Sequence, residues 1–105
     1  MKRTYCFDID GTLCTKNCSY EKSKPYKMII EHLNGLYDSG NKIILMTARG
    51  AKSGIDWTDF TKGQLGEWGI KYHELIMNKK PHADVFIDDR AINIEDWKLI
   101  NSLVE

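Results

Sequence analysis

The sequence has no long apolar run and no excess of charge of either sign. No stretch approaches the roughly 18 consecutive apolar residues that a membrane-spanning helix needs. Lys and Arg together number 15, Asp and Glu also number 15, and no long block of like charge appears anywhere. We therefore expect no general affinity for nucleic acid or for a membrane surface, while a local basic pocket for a small anionic ligand is still compatible with this balance.

Cysteine is scarce and a secretion signal is not evident. Cys6, Cys14 and Cys18 are the three cysteines, and no later cysteine or nearby histidine completes the ligand set of a zinc site, so we expect reduced thiols. The opening residues, MKRTYCFDID, lack the long apolar segment of a signal peptide. We expect a soluble cytoplasmic protein.

Short apolar segments alternate with longer amphipathic ones along a chain of 105 residues. This length suits one hydrophobic core, so we predict a single domain over 1–105. β-forming residues and apolar runs predict strands over 4–9, 42–46, 72–77 and 85–87. Helical periodicity predicts helices from Pro25 to Gly40, over 57–68 and over 93–105. The alternation favours an α/β fold with a parallel sheet covered by helices on both faces, a three-layer Rossmann-like arrangement.

Polar residues follow the end of every predicted strand. In strand order they are Asp8 and Asp10, then Thr47 and Arg49, then Lys79 and Lys80, then Asp88 and Asp89. Because the carboxyl ends of parallel strands meet at one edge of the sheet, we expect these groups to converge there. Four converging carboxylates require a hard cation, and Mg²⁺ accepts carboxylates while it keeps waters and a phosphate oxygen. The hydroxyl and the cationic side chains complement the remaining charge of a phosphoryl group.

The first acidic pair suits a division of labour between nucleophile and acid/base. Residues two apart in an extended strand point the same way, but a turn that begins at Gly11 can redirect Asp10 away from Asp8. One carboxylate can then attack phosphorus while the other moves the proton of the leaving oxygen or of the attacking water.

Four motifs of this sequence resemble, in order, those of the haloacid dehalogenase superfamily. They are DIDGT at 8–12, MTARG at 46–50, KP at 80–81 and IDDR at 87–90. The finer pattern of FDIDGTLC, TARG, KPHAD and IDDRAIN resembles the small capsule-biosynthesis phosphatases within that superfamily. The resemblance implies a Mg²⁺-dependent phosphohydrolase that cleaves a phosphomonoester, such as a sugar or polyol phosphate, through an aspartyl-phosphate. It also implies a capless enzyme, with the loop from Leu13 to Lys24 as the one evident lid.

Carried over residue by residue, the resemblance makes Asp8 the nucleophile and Asp10 the general acid/base, whose backbone carbonyl also meets Mg²⁺. Thr47 would hold a phosphate oxygen, assisted by backbone N–H groups near Ala48, and Lys80 would balance the charge of the nucleophile and the phosphate. The metal ligands implied are Asp8, Asp10, Asp88 and Asp89, and the phosphate-binding residues are Gly11, Thr12, Thr47, Ala48, Arg49 and Lys80.

Some assignments stay open at the level of sequence. For Arg49, contact with the substrate competes with an exposed position in a Gly-flanked loop, and Lys79 is expected to be a solvated neighbour of Lys80. Many relatives carry a further aspartate where Asn93 stands, which leaves the outer shell of the metal undefined. We expect a small phosphorylated substrate, no nucleic-acid or membrane partner, and a monomer or weak homodimer.

Three other functions remain as alternatives. An open site also fits a polynucleotide or nucleotide phosphatase, although no basic patch supports it. A phosphoacceptor signalling domain also combines an acidic pair with Thr and Lys, but there the phosphorylated Asp lies on a later strand. Here the pair flanks a Gly-Thr turn on the first strand, which favours turnover over a stable phosphorylated state. A catalytically silent binding module is the third.

Overall fold

The computed structural model describes residues 2–16, 19–79 and 81–87. In chain order its elements are β1 (Thr4–Asp8), a short 3-10 helix (Tyr20–Lys22), α1 (Lys27–Asp38), β2 (Lys42–Thr47), α2 (Thr58–Glu67), β3 (Glu74–Met77) and β4 (Val85–Ile87). Each predicted element within these residues is present, and its ends lie within two residues of the predicted ones. The predicted helix over 93–105 lies outside the described residues.

The sequence predicted that Pro25 would occupy the first turn of α1, and this prediction is wrong. Pro25 pairs instead with Cys14 in an isolated antiparallel bridge, and α1 begins at Lys27 after the cap residue Tyr26. The bridge closes the base of the loop between β1 and α1, where the backbone N–H of Tyr26 donates to Leu13 O at 2.9 Å. The N–H of Thr15 donates to Lys24 O at 2.9 Å on the other side of Pro25, so the chain stays in this pairing through Tyr26 and the helix begins only after it.

The four strands form one parallel sheet in the order β3-β2-β1-β4. β1 is central: Phe7 pairs with Leu45 of β2 on one side and with Ile87 of β4 on the other. β2 pairs in turn with β3, and Leu45 lies opposite Leu75. The chain therefore builds outward from β1 to β3 and then returns to the other side of β1. This confirms an α/β protein with a Rossmann-like parallel sheet.

One face of the sheet carries the main hydrophobic core. Side chains alternate along a strand, so Tyr5 and Phe7 point to the same side as Ile43 and Leu45. These side chains are buried with others from α1, α2 and the neighbouring loops, namely Ile29, Ile30, Leu33, Leu36, Leu65 and Ile70. Fully burying one such side chain stabilises the fold by about 1.5–3 kcal/mol.

The two helices lie side by side on that face. The side-chain amide of Asn34 on α1 donates to Gly69 O, just beyond α2, and its oxygen accepts from the backbone N–H of Lys71, both at 2.9 Å. The described helices thus cover one face of the sheet, and the three-layer arrangement depends on residues outside the described ranges. Within those ranges neither helix has the length and apolar character to cross a membrane.

Candidate active site

The carboxyl ends of three strands meet around one pocket. β1 ends at Asp8, β2 ends at Thr47, and β3 is followed by Asn78 and Lys79. The pocket has a volume of about 400 Å³ and its described lining is Asp8, Met46, Thr47, Ala48, Ala51, Asn78 and Lys79. It lies beyond the carboxyl ends of β1, β2 and β3, and the carboxyl ends of the strands are where open α/β sheets bind ligands.

The pocket brings together only part of the predicted set. Asp8, Thr47 and Ala48 all line it. Lys79, predicted to be only a solvated neighbour of Lys80, lines it as well. Gly11 and Thr12 lie in the turn after β1 and are not among the described lining residues. The predicted site residues Lys80, Asp88 and Asp89, like Asn93, lie outside the described residues.

The turn after β1 separates Asp10 from Asp8. Gly11 has a φ of +88°, and the backbone N–H groups of Thr12 and Leu13 both donate to Ile9 O, at 3.2 and 2.9 Å. A residue with a Cβ atom rarely adopts this left-handed conformation, so the glycine permits the sharp reversal. Whereas Asp8 lines the pocket, the carboxylate of Asp10 is turned toward Arg49.

Arg49 occupies a position that the sequence did not indicate. Its side chain is buried. Its guanidinium donates to both carboxylate oxygens of Asp10, from Nε to Oδ2 at 3.0 Å and from Nη2 to Oδ1 at 2.8 Å. The third nitrogen, Nη1, donates to Gln64 Oε1 at 2.8 Å and to Thr61 Oγ1 at 3.3 Å. Of the two alternatives that the sequence left open for Arg49, the exposed position is therefore wrong, and the guanidinium donates to protein groups.

Asp10 affects the protonation of its two neighbours, Arg49 and Cys14. Burial lowers the pKa of Arg49, but the hydrogen bonds and negative charge of Asp10 more than offset this effect and raise the pKa above its ordinary value. Burial, followed by the charge of Asp10, raises the pKa of the Cys14 thiol to about 12. Cys14 Sγ lies 3.5 Å from Asp10 Oδ1, so the protonated thiol is a donor to the carboxylate. Arg49 is held as a cation and Cys14 as a neutral thiol.

Thr47 is oriented by two contacts of its own. Its hydroxyl accepts a hydrogen bond from the backbone N–H of Arg49 at 3.1 Å, and its carbonyl accepts from the N–H of Asn78 at 2.8 Å. A hydroxyl that accepts one bond still has its own proton to donate. Thr47 can therefore present a fixed donor to an oxygen of a bound ligand.

The loop that follows β2 has a strict requirement for glycine. Gly50 has a φ of +85°, and a Cβ atom at this position would lie far inside contact distance of the carbonyl oxygen of Ile55. Only glycine meets both conditions. Gly50 thus fixes the path of the backbone that carries Ala48 and Arg49 to the carboxyl edge.

The described part of the predicted lid, the loop from Leu13 to Lys24, contacts α2. Gln64 Nε2 donates to Tyr20 O at 2.7 Å, and the rings of Tyr20 and Trp57 meet edge to face with centroids 4.7 Å apart. The Tyr20 ring also lies against the Arg49 guanidinium, with 4.5 Å between its centroid and Cζ. One side of this loop is therefore part of the cluster that surrounds Arg49.

Three members of that cluster were missed by sequence reasoning. Thr61 and Gln64 are one helical turn apart on α2 and are buried beside Leu65. The signal in the sequence was the pair of polar residues on the helix face that also carries leucine, where apolar residues are the rule. Tyr20 offered no comparable signal.

The described oxygen donors suit magnesium but do not complete a site. Asp8 offers a carboxylate at the pocket, whereas the carboxylate of Asp10 is paired with Arg49, so that the backbone carbonyl predicted from the motif is what remains of Asp10 as a ligand. These are the hard oxygen ligands that Mg²⁺ prefers. Within residues 2–16, 19–79 and 81–87, no three His, Cys, Asp or Glu side chains are grouped so that they could hold a metal ion.

Taken together, these features define an α/β protein with a pocket at the carboxyl edge of its sheet, lined in part by Asp8, Thr47 and Lys79. No protein-family model matches the chain, and no curated protein matches it. Among solved structures it is similar to a conserved protein from Bacteroides thetaiotaomicron, with 24% identity over 99% of this chain and 90% of that chain and a TM-score of 0.73. It is also similar to a crystal structure of an MCSG target from Vibrio cholerae, with 26% identity over 100% of both chains and a TM-score of 0.67. Both likenesses support the α/β fold.

Proposed function

We propose that this protein is a Mg²⁺-dependent phosphohydrolase of the haloacid dehalogenase type, which cleaves a phosphomonoester through an aspartyl-phosphate. One observation carries the proposal: Asp8 and Thr47 share a pocket at the carboxyl edge, while Asp10, two residues on, is turned to a buried arginine. A nucleophile, a donor for a phosphate oxygen and a separate acid/base group are thereby available in one region.

In the first step, a carboxylate oxygen of Asp8 attacks phosphorus and the bond from phosphorus to the leaving oxygen breaks. For this step Asp10 must carry a proton, on a lone pair that the hydrogen bonds from Arg49 leave open, and it gives this proton to the leaving oxygen, so an alcohol departs and Asp8 carries the phosphoryl group. Thr47 donates its hydroxyl proton as a hydrogen bond to a phosphoryl oxygen, where negative charge is concentrated.

In the second step, water attacks the phosphorus of the aspartyl-phosphate. Asp10, now ionised, takes the proton of the water as the bond between phosphorus and Asp8 breaks, which releases phosphate and restores both carboxyl groups. Asp8 through its carboxylate, Asp10 through its backbone carbonyl, and Asp88 and Asp89 from the sequence motif would hold Mg²⁺, which neutralises charge on the phosphoryl oxygens when bound.

The resemblance of the four sequence motifs to the capsule-biosynthesis phosphatases favours a sugar or polyol phosphate as the substrate. The same resemblance favours the three-layer capless form of the fold. A pocket of about 400 Å³ at the carboxyl edge accommodates a small phosphomonoester, which is in keeping with that substrate class.

The test is the release of phosphate from a panel of phosphomonoesters, with Mg²⁺ and with a chelator. We expect activity of the wild type with Mg²⁺ and its loss with the chelator. Asp8→Asn should lower kcat at least about 1000-fold, because the attacking oxygen is lost. Asp38→Asn is the matched control, since it makes the same chemical change at an exposed carboxylate that pairs with Lys71. It should leave the rate unchanged.

Two results would contradict the proposal. Activity that survives Asp8→Asn would exclude the covalent mechanism. If the wild type released no phosphate from any substrate while an acyl-phosphate donor labelled Asp8 stably, the protein would be a phosphoacceptor rather than a hydrolase.

A further inference from the structure

Asp10 is held in one orientation by a two-point contact. The guanidinium of Arg49 is planar and meets both carboxylate oxygens at 2.8 and 3.0 Å, through Nη2 and Nε. A pair of parallel hydrogen bonds fixes the plane of the carboxylate as well as its distance, which a single contact does not. The side chain of Asp10 is nevertheless 25% exposed, so one side stays accessible from solvent.

Arg49 is itself fixed by groups from other elements. Its Nη1 donates to Gln64 and Thr61 on α2, and Tyr20 from the loop after β1 covers the face of its guanidinium. The side chain has no exposed surface. Because every nitrogen of the guanidinium has a protein acceptor, Arg49 is not arranged to bind the phosphate of a substrate.

We propose that Arg49 is the positioning residue for Asp10. This inference rests on the phosphohydrolase function proposed above and replaces the contact between Arg49 and substrate that the sequence left open. Arg49 holds the carboxylate that moves the proton, and α2 and Tyr20 hold Arg49. Its contribution is therefore to the two proton transfers and not to the binding of the substrate.

The position requires arginine and not merely a positive charge. Lysine carries a point charge that cannot reach both oxygens of Asp10 and two acceptors on α2 at once. Misplacement of a reacting group by about 1 Å can cost about 100-fold in rate. We therefore expect Arg49→Lys and Arg49→Met each to lower kcat on an alkyl phosphate about 100-fold while KM stays within about twofold of the wild type.

The choice of leaving group distinguishes misplacement of Asp10 from a general loss of active-site structure in the Arg49 variants. An alkoxide needs the proton of Asp10 to depart, whereas dinitrophenolate is stable as an anion and does not. With dinitrophenyl phosphate, the variants should form the aspartyl-phosphate rapidly and hydrolyse it slowly, because the second step still needs Asp10. The signature is a burst of about one dinitrophenolate per enzyme, with a phosphoenzyme that can be trapped in acid.

Two controls accompany this experiment. The double variant Asp10→Asn/Arg49→Met should be no slower than Asp10→Asn alone, since residues that act as a unit are not additive. Binding of beryllium fluoride with Mg²⁺, followed by thermal shift, reports whether the Asp8 pocket is intact in each variant. If Arg49→Met does not fold, Arg49→Lys and Gln64→Leu, which leaves the arginine but removes one of its acceptors, carry the same test with the same expected burst.

Several outcomes would overturn the inference and leave the proposed function in place. An active wild type whose Arg49 variants lose the same factor on both substrates without a burst would show only a structural role. A raised KM with an unchanged kcat would show that Arg49 binds the substrate. A wild type with no turnover would instead contradict the phosphohydrolase function, and the role of Arg49 would fail with it.

Discussion

The two edges of the sheet hold ion pairs of the same length in opposite surroundings. At the carboxyl edge, Arg49 and Asp10 meet at 2.8 Å with side-chain exposures of 0% and 25%. At the amino edge, Lys42 and Glu74 begin β2 and β3 and also meet at 2.8 Å, but both side chains are about half exposed, at 51% and 49%. Distance does not distinguish the pairs, whereas access to water does.

Burial changes what such a pair contributes. An exposed pair is screened by water and contributes about 0–1 kcal/mol to the free energy of unfolding. Removing one partner of a buried pair leaves an uncompensated charge, which costs about 3–5 kcal/mol. Loss of one partner should therefore lower the free energy of unfolding strongly at the carboxyl edge and only slightly at the amino edge. This is the difference that the proposed function leads us to expect between the two edges.

The largest effect on stability is expected at Gly50, which shapes the loop of the carboxyl edge. Gly50→Ala would place a Cβ atom against the carbonyl of Ile55 in a left-handed conformation. We expect it to lower the free energy of unfolding by about 3 kcal/mol or more, through the clash and the backbone strain together. Urea denaturation measures this loss.

Gly35→Ala is the matched control, because the same methyl group is added where nothing lies within 4 Å. Gly35 is inside α1, so alanine there should raise the free energy of unfolding by about 1 kcal/mol. Equal effects of the two substitutions would contradict the account of the loop.

The next effect concerns the pocket itself, through the hydroxyl of Thr47. Thr47→Val keeps the shape but removes the hydroxyl that the proposed function assigns to a phosphate oxygen, and a hydrogen bond to a charged group contributes about 1.5–3 kcal/mol. We expect kcat/KM for a phosphomonoester to fall about 10–100-fold. The same substitution removes the hydroxyl that accepts from the backbone N–H of Arg49, so a modest fall in Tm should accompany the fall in kcat/KM.

Thr47→Ser retains the hydroxyl and should keep kcat/KM within about threefold of the wild type, since both hydrogen bonds can form. If serine were as poor as valine, packing of the methyl group rather than the hydroxyl would decide the activity.

Part of the carboxyl edge could be predicted from the sequence. Apolar runs that end in polar residues predicted the strands, and the parallel arrangement predicted that Asp8 and Thr47 would share an edge. That part depends on local patterns only, since side-chain alternation and helical period are visible over a few residues. It is confirmed for the sheet and for the proximity of these two residues.

The network behind Asp10 could not be foreseen in the same way. Arg49 lies 39 residues from Asp10 and 15 from Gln64 along the chain, so their contact depends on how α2 packs beside β2. An arginine flanked by glycine and alanine gives no local sign of burial, because long polar side chains are mostly exposed. The error at Pro25 has a similar origin, since its bridge to Cys14 is a tertiary contact.

The smallest effect is expected at the amino edge, and it tests the comparison most directly. In a double-mutant cycle of Lys42→Ala and Glu74→Ala, we expect a coupling energy below about 1 kcal/mol in urea denaturation, because both side chains are half solvated. Another exposed pair, Lys71 with Asp38, should behave alike. The coupling should shrink further in high salt, which screens exposed charges but not buried ones. A coupling energy above about 2 kcal/mol would mean that burial does not separate the two edges, and the inference that Arg49 is singled out by its surroundings would lose its physical basis.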